Sequence, residues 1–136
     1  MIRNIGSSMC VDVFGASRQP GANVQQFNCN GGANQRWSFI SVGNNEFVIQ
    51  SENSGLVLDV AGSSRGDGGN VQQFNWNGGA NQRWRLQGAN HNFQLVNVNS
   101  GRCLDVAGGG NANNTNIQQF RCTGRNNQRW FIGFTQ

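Results

Sequence analysis

The stretch "NVQQFNCNGGANQRW", from Asn23 to Trp37, recurs twice along the same chain. It returns as "NVQQFNWNGGANQRW" at 70–84 and as "NIQQFRCTGRNNQRW" at 116–130. Each copy follows a segment of one pattern ("CVDVFG", "VLDVAG" or "CLDVAG") whose aspartate stands 25 residues before the final tryptophan. Because the period is 47 and then 46 residues, the pattern predicts three repeats, approximately 1–45, 46–91 and 92–136, built by repetition of one unit.

Within each repeat the apolar runs are short, and Gly, Asn and Ser separate them. Runs such as "EFVIQ", "LVLDV", "NVQQF" and "QRWRL" are typical of strands, and no period of 3.6 residues indicates a helix. About four strands per repeat predict an all-β fold of about twelve strands. Three repeats are too few for a propeller of about four to eight blades, and no polar caps indicate a solenoid. We therefore expect one closed, pseudo-threefold domain over 1–136, forming a complete unit.

Composition and charge argue against two classes of partner. No stretch reaches the roughly 18 consecutive apolar residues of a membrane helix, so we expect no membrane insertion, and no leader-like apolar segment precedes the first strand. The net charge is +4 and all ten basic residues are Arg, but they are spread along the chain. Arg36, Arg83 and Arg129 hold one place in each repeat. A repeated surface position explains them better than a phosphate-binding stripe, so we expect no nucleic acid partner.

A triplet Gln-x-Trp closes each repeat at Gln35–Trp37, Gln82–Trp84 and Gln128–Trp130, and "LDV" or "VDV" stands near its start. In these features the whole chain resembles the ricin B-type β-trefoil lectins, a module that is also appended to some bacterial xylanases. The resemblance implies a six-stranded barrel capped by three hairpins, with one potential sugar site in each repeat.

Four cysteines permit three pairings, and the repeat favours Cys10–Cys29 with Cys103–Cys122, which also match the family's usual disulfide. Repeat two has lost both partners together, to Val57 and Trp76, and we favour Trp76 as a filler of the gap over an extension of the site. Four buried reduced thiols are the alternative. A metal site is disfavoured because no two cysteines are close in sequence and His91 is the only histidine. Disulfides favour an oxidising, extracellular location.

Apolar residues at repeated places are assigned to the core. These are Trp37, Trp84 and Trp130, which we expect around the threefold axis, and the residues that flank each aspartate: Val11, Val13, Leu58, Val60, Leu104 and Val106. The aspartates themselves differ, because burying a lone charge is costly. We interpret each as a carboxylate that accepts hydrogen bonds from two neighbouring sugar hydroxyls, with a turn-capping role as the alternative.

The residues that would complete each site follow at fixed offsets. A phenylalanine 15 residues after the Asp would stack on the apolar face of a sugar, where the family often has Trp or Tyr; core packing is the alternative. The Gln two before it shares its face, whereas Gln26, Gln73 and Gln119 point oppositely and read as structural or solvent-facing. The resemblance further implies a sugar contact from an Asn, a Gln that braces the carboxylate, and a backbone contact at a Gly. The alternative for the Asn is turn stabilisation, and the alternative for the Gly is a plain turn.

The predicted sugar sites are therefore three sets of six residues. Repeat one supplies Asp12, Gly15, Gln25, Phe27, Asn34 and Gln35; repeat two supplies Asp59, Gly62, Gln72, Phe74, Asn81 and Gln82; repeat three supplies Asp105, Gly108, Gln118, Phe120, Asn127 and Gln128. The loops Ala16–Ala22, Ser63–Gly69 and Gly109–Thr115 differ in sequence, so the three sites can differ too.

These residues favour a non-catalytic, multivalent lectin without cofactor or metal, monomeric or weakly oligomeric, of which at least two sites bind. Galactose or N-acetylgalactosamine is the first expected ligand, and xylan or another polysaccharide is the second. A glycosidase needs two carboxylates about 5–10 Å apart, whereas the repeated acids belong to separate sites. A protein-binding trefoil without sugar activity predicts decay of the three sets, which are intact. We expect Asp→Asn changes at all three sites together to abolish binding and to alter stability by no more than about 1 kcal/mol.

Overall fold

A computed structural model describes residues 1–133 of the chain. It contains twelve strands, four in each repeat, as the apolar runs predict. They are β1 (Ile2–Asn4), β2 (Cys10–Val13), β3 (Val24–Phe27), β4 (Trp37–Ser41), β5 (Glu46–Ser51), β6 (Val57–Val60), β7 (Val71–Phe74), β8 (Trp84–Ala89), β9 (Asn92–Asn97), β10 (Cys103–Val106), β11 (Ile117–Phe120) and β12 (Trp130–Ile132).

Helical structure in residues 1–133 is confined to six 3₁₀ turns of three residues. These are Phe14–Ala16, Ala33–Gln35, Ala61–Ser63, Ala80–Gln82, Ala107–Gly109 and Asn126–Gln128. Two therefore fall in each repeat, one directly after the strand that carries the Asp and one directly before the closing Trp. No helix in this part of the chain is long and apolar enough to cross a membrane.

The strands form a β-trefoil. The barrel strands pair antiparallel in the order β1-β12-β9-β8-β5-β4, and the hairpins β2–β3, β6–β7 and β10–β11 extend from them. The first and last strands are neighbours, since Ile2 pairs with Ile132. Isolated bridges such as Asn23 with Gln72 join one hairpin to the next. The predicted all-β, pseudo-threefold fold is confirmed.

The core lies where the repeat predicts it. All three closing tryptophans are buried, as are the Val and Leu residues on both sides of each Asp, and together they belong to one apolar cluster. The indole N–H of Trp37 donates to the Val11 carbonyl oxygen at 3.1 Å, and Trp84 and Trp130 do the same to Leu58 and Leu104. Each Trp thus satisfies its polar atom on the strand that carries the Asp.

Two disulfides connect the first residue of the strand that carries the Asp to the loop after the Phe. The pairs Cys10–Cys29 and Cys103–Cys122 are bonded, each across 19 residues, so the predicted pairing is confirmed. In repeat two, Trp76 stands at the corresponding place with 47% of its surface exposed. About half of Trp76 is therefore accessible to solvent and Val57 is buried, so both interpretations of Trp76, as a filler and as an extension of the site, stay open.

Candidate functional site

Each predicted site is organised around the buried carboxylate of the repeated Asp. The hairpin register places Asp12 opposite Gln25, and the other two repeats keep this pairing. The aspartates are 3–4% exposed, so their charge requires hydrogen-bond donors. In repeat one Asp12 Oδ1 accepts from Gln25 Nε2 at 3.3 Å, and Oδ2 accepts from Asn34 at 3.2 Å and from Gln35 at 2.9 Å.

The same three bonds recur in the other repeats. Asp59 accepts from Gln72, Asn81 and Gln82 at 3.1, 3.3 and 2.8 Å. Asp105 accepts from Gln118, Asn127 and Gln128 at 3.1, 3.2 and 2.9 Å. The carboxylate has about four acceptor positions, so one remains, on Oδ1. The sequence suggests that two sugar hydroxyls donate to the two Asp oxygens, but this would displace one of the protein donors. The geometry instead offers a single charged acceptor.

The Gln of the closing triplet positions the carboxylate and has no donor left for a ligand. Besides Asp12, Gln35 Nε2 donates to the Asn28 carbonyl at 2.9 Å, and its Oε1 accepts from the Asn30 backbone N–H at 2.8 Å. Gln35 is fully buried, and Gln82 and Gln128 make the same bonds. The interpretation of this Gln as a brace behind the Asp fits this geometry.

The Asn before that Gln uses both of its amide hydrogens within the protein. Asn34 Nδ2 donates both to Asp12 and to the Val13 carbonyl, at 3.2 and 3.1 Å. Both amide hydrogens are committed, so toward a sugar hydroxyl this side chain can only accept. Asn81 and Asn127 are bound in the same way. Asp and Asn thus present two adjacent oxygen acceptors, which suit two neighbouring hydroxyls.

The glycine after the Asp holds a left-handed turn beside the carboxylate. Gly15, Gly62 and Gly108 have φ of 63°, 63° and 61°, and no atom lies within 4 Å of where a Cβ would stand. The backbone conformation rather than crowding therefore demands glycine. Gly15 and Gly108 line open cavities beside their aspartates, so the backbone can be approached there by a ligand.

Two of the three sites form distinct cavities. One beside Asp12 has a volume of about 390 Å³ and one beside Asp105 about 610 Å³. Phe27 and Phe120 line these cavities and are half-buried, and Phe74 of repeat two is 37% exposed. None of the three belongs to the apolar core cluster. Accessible faces are what stacking requires, so the alternative assignment of these rings to the core does not hold.

Sequence reasoning missed a second ring in site one. Phe14 is 58% exposed and lines the cavity with Phe27. Its counterparts in the other repeats are Ala61 and Ala107. The sequence carried a signal for this ring, because Phe14 in "CVDVFG" replaces the Ala that the other two repeats have directly before the predicted contact Gly.

Loops from a different repeat complete each site, which the sequence also did not reveal. Asn114 of repeat three donates to Gln25 Oε1 at 2.9 Å and lines site one. In site three Asp67, from repeat two, accepts from the Arg121 backbone N–H at 2.8 Å. Site two adjoins the loop of repeat one, where the Gly21 backbone N–H donates to the Gln73 carbonyl at 2.8 Å.

The second Gln of "QQF" holds these loops. Gln73 is fully buried and its Nε2 donates to the carbonyls of Ser17 and Gln19 at 3.0 and 2.9 Å. Gln119 and Gln26 bind the next two loops in the same way. The structural interpretation of these residues is correct and the solvent-facing alternative is wrong.

A ring of three asparagines joins the repeats near the same loops. Asn23 donates to Asn116, Asn116 to Asn70, and Asn70 back to Asn23, at 2.8, 2.8 and 2.9 Å. Each amide is donor to one neighbour and acceptor from the other, so the ring closes only when all three repeats are in register. It fixes the relative orientation of the hairpins that carry the sites.

Burial changes the acidity of the carboxyl in site three. Desolvation raises the pKa of Asp105 above its ordinary value, while hydrogen bonds from Gln128, Gln118 and Asn127 oppose the rise.

Within residues 1–133, no group of three His, Cys, Asp or Glu side chains is arranged to hold a metal ion.

The profile of the "Ricin-type beta-trefoil lectin domain" matches residues 1–130. The chain belongs to the ricin-type β-trefoil lectin family. The family and its lectin neighbours support carbohydrate binding as the general function.

Three solved structures illustrate this relationship. A designed threefold-symmetric protein, ThreeFoil, is 36% identical with a TM-score of 0.93, over 95% of this chain and 93% of its own. The exo-β-1,3-galactanase of Clostridium thermocellum is 30% identical with a TM-score of 0.95, over 98% of this chain but only 29% of the enzyme. The Macrolepiota procera ricin B-like lectin, solved with lactose, is 21% identical with a TM-score of 0.84, over 98% of this chain and 93% of its own, and shows the fold alone.

Proposed function

We propose that this chain is one non-catalytic lectin domain with up to three sites, which bind glycans that end in galactose or N-acetylgalactosamine. The observation that carries the proposal is the threefold recurrence of one acceptor pair beside one aromatic ring. In each repeat the Asp Oδ1 and the Asn Oδ1 accept from hydroxyls, and the partly exposed Phe offers an apolar face.

Galactose fits this arrangement on chemical grounds. Its 3- and 4-hydroxyls are cis neighbours at one edge of the ring, so they reach two adjacent acceptors together. The C–H groups at positions 3, 4 and 5 form an apolar patch on the opposite face, which suits stacking on Phe. The lactose bound to the Macrolepiota procera lectin contains galactose, which agrees with this choice.

Three sites on one rigid body would act through avidity. Phe offers less stacking area than Trp and no polar group, so each site alone is expected to be weak. Simultaneous contact with a clustered glycan raises the apparent affinity without new contacts. The two disulfides favour a secreted, extracellular location, and we expect the domain to be monomeric or weakly oligomeric.

The second candidate is a polysaccharide-binding module of a glycoside hydrolase. It is favoured by the match to a galactanase, because the matched part is only 29% of that enzyme. Xylan or a galactan would then be the ligand, and multivalent contact along a polymer would replace contact with cell-surface glycans.

A glycan array compared with agglutination of red cells tests the proposal. We expect terminal galactosides to score above xylan oligomers, and free galactose to inhibit agglutination. Replacing the three stacking rings (Phe27→Ala, Phe74→Ala and Phe120→Ala) should abolish agglutination. The control Ile40→Ala removes a side chain that is 43% exposed on β4 and should leave it intact. Unchanged agglutination in the triple variant would show that sugars do not stack on these rings.

A further inference from the structure

Site three differs from site one in the charge of its lining. Arg121 and Arg125 line the cavity beside Asp105, whereas their counterparts are Asn28 and Gly32 in repeat one and Asn75 and Gly79 in repeat two. The charged residues that line the cavity are two Arg and one Asp, which sum to +1, and Asp67, which binds the Arg121 backbone, is paired with Arg102. Site one is lined by Asp12 alone among charged residues, which gives −1.

The Arg121 guanidinium lies at the aromatic platform of the site. Its Cζ lies over the Phe120 ring, 5.4 Å from the centroid, so an acidic group on a sugar held at that ring would be within reach of the charge. Its backbone is held by Asp67 of the neighbouring repeat at 2.8 Å. The Asp67 carboxylate is itself in a salt bridge with Arg102 at 2.8 Å.

The positive charge of the site is not cancelled by direct pairing. Within residues 1–133, no carboxylate forms a salt bridge with Arg121 or Arg125. Arg121 does help to lower the pKa of Asp67, but less than the hydrogen bond from Arg102 does. Both arginine residues are exposed, so their donors face solvent and are accessible to a ligand.

Repeat three carries a second change beside Arg125. A Cβ at Gly32 or Gly79 would lie 2.8 or 2.6 Å from the Oδ1 of Asn34 or Asn81. It would lie 3.0 or 2.8 Å from the Oδ1 of a second side chain, Asn30 or Asn77. In repeat three that Asn is replaced by Thr123, whose shorter Oγ1 accepts from the Arg125 backbone N–H at 3.2 Å. One of the two contacts is thus removed, the other Asn is kept as Asn127, and a long cationic side chain stands where the other repeats have glycine.

We propose that site three binds a saccharide that carries an acidic substituent, a carboxylate or a sulfate, which Arg121 and Arg125 contact while Asp105 and Phe120 hold the sugar ring. The inference rests on the proposed sugar-binding function and adds a division of labour among the sites. Guanidinium donors match the planar or tetrahedral oxygens of such groups and make charge-assisted hydrogen bonds. Site one would retain neutral sugars, because its only charge repels an anion.

Site-resolved NMR titration of the whole chain tests this inference. The backbone amides of Gly15, Gly62 and Gly108 report on sites one, two and three. The probes are methyl β-galactoside, galacturonic acid and galactose 6-sulfate. We expect the Kd read at Gly108 to be about 3- to 10-fold lower for one or both acidic probes than for the neutral one, since exposed charged contacts are modest. Added salt should reduce this preference, and Gly15 should show none.

Variants that restore the residues of the other repeats provide the control. Arg121→Asn with Arg125→Gly should abolish the preference at Gly108 and change the Kd for the neutral galactoside by less than about twofold. Arg121→Asn alone, at an exposed position, should lose part of the preference and serves if the double variant folds poorly. Arg18→Asn, an exposed charge loss in repeat one toward its counterpart Asn111, should keep the preference.

The outcomes separate this inference from the proposed function. A preference for sulfate alone or for carboxylate alone supports the inference and identifies the substituent. Equal Kd values for neutral and acidic probes at Gly108, or a preference that survives the double variant, overturn the inference and leave the lectin function standing. If no probe shifts any of the three glycines, the galactoside-binding function fails and the inference fails with it.

Discussion

Replacing the buried aspartates by asparagine should destabilise repeat one more than the other two. An Asn at position 12 would turn its oxygen toward Asn34 and Gln35 and keep both of those bonds. Its Nδ2 would then stand where Oδ1 was, 3.3 Å from Gln25 Nε2, with donor facing donor. Gln25 cannot turn its amide without losing the bond that its Oε1 accepts from Asn114 at 2.9 Å.

The magnitude follows from the hydrogen bonds involved. Bonds to a charged group contribute about 1.5–3 kcal/mol and neutral ones about 0.5–1.5 kcal/mol, so two retained but neutral bonds lose about 2 kcal/mol in all. An unsatisfied buried donor adds about 1–3 kcal/mol. Relief of the buried charge offsets part of this cost at every site. We therefore expect Asp12→Asn to cost about 1–3 kcal/mol more than Asp59→Asn, where Gln72 can turn.

Urea unfolding monitored by tryptophan fluorescence, without reductant, measures these free energies. Asp105→Asn is the matched control, since repeat three has a disulfide like repeat one but no counterpart of Asn114. Its cost in free energy of unfolding should be similar to that of Asp59→Asn. Adding Asn114→Ala to Asp12→Asn should recover most of the extra cost, because Gln25 is then able to turn. Equal costs at positions 12 and 59 would refute the reasoning, whereas costs of about 1 kcal/mol or less at all three would restore the expectation drawn from the sequence.

Four further results are expected. Burial raises the pKa of Asp105, so this carboxyl is protonated at a higher pH than an ordinary aspartate when the pH is lowered. The affinity of site three for a sugar, read at Gly108, should therefore begin to fall at a higher pH, which a pH series of the NMR titration measures. The same shift favours the protonated carboxyl in the folded state, so the contribution of Asp105 to stability should decline as pH rises through its folded pKa. Gln73→Ala would leave two loop carbonyls without their donor and should lower the free energy of unfolding by about 2 kcal/mol in urea melts, whereas Gln87→Ala, at an exposed position on β8, should change it little. Cys103→Ala with Cys122→Ala should lower the melting temperature through a loss of about 3 kcal/mol; an unchanged melting temperature would contradict a stabilising disulfide.

The fold and the positions of the site residues were predictable because each depends on spacing within one repeat. The 25 residues between Asp12 and Trp37 place both on one unit, and two further copies leave few ways to close it. The register of Asp12 with Gln25 follows from the same local hairpin.

What the sequence could not supply depends on contacts between repeats. The bond from Asn114 to Gln25 spans 89 residues, and nothing in the local pattern shows that a loop of repeat three closes site one. The position of Asp67 beside Arg121 has the same origin. The single acceptor position left on Asp12 was also hidden, because it depends on the amides of Gln25, Asn34 and Gln35 that donate to the other three.

The most direct test of the central claim, that one Asp–Asn–Phe set in each repeat binds a sugar, is a crystal structure of the chain soaked with N-acetylgalactosamine. We predict sugar density beside Asp12, Asp59 or Asp105 at two or more of the three sites. One hydroxyl should lie within hydrogen-bond distance of the Asp Oδ1, a second should reach the Oδ1 of Asn34, Asn81 or Asn127, and the ring should stack on Phe27, Phe74 or Phe120. A bound sugar that contacts none of the three aspartates would contradict the account.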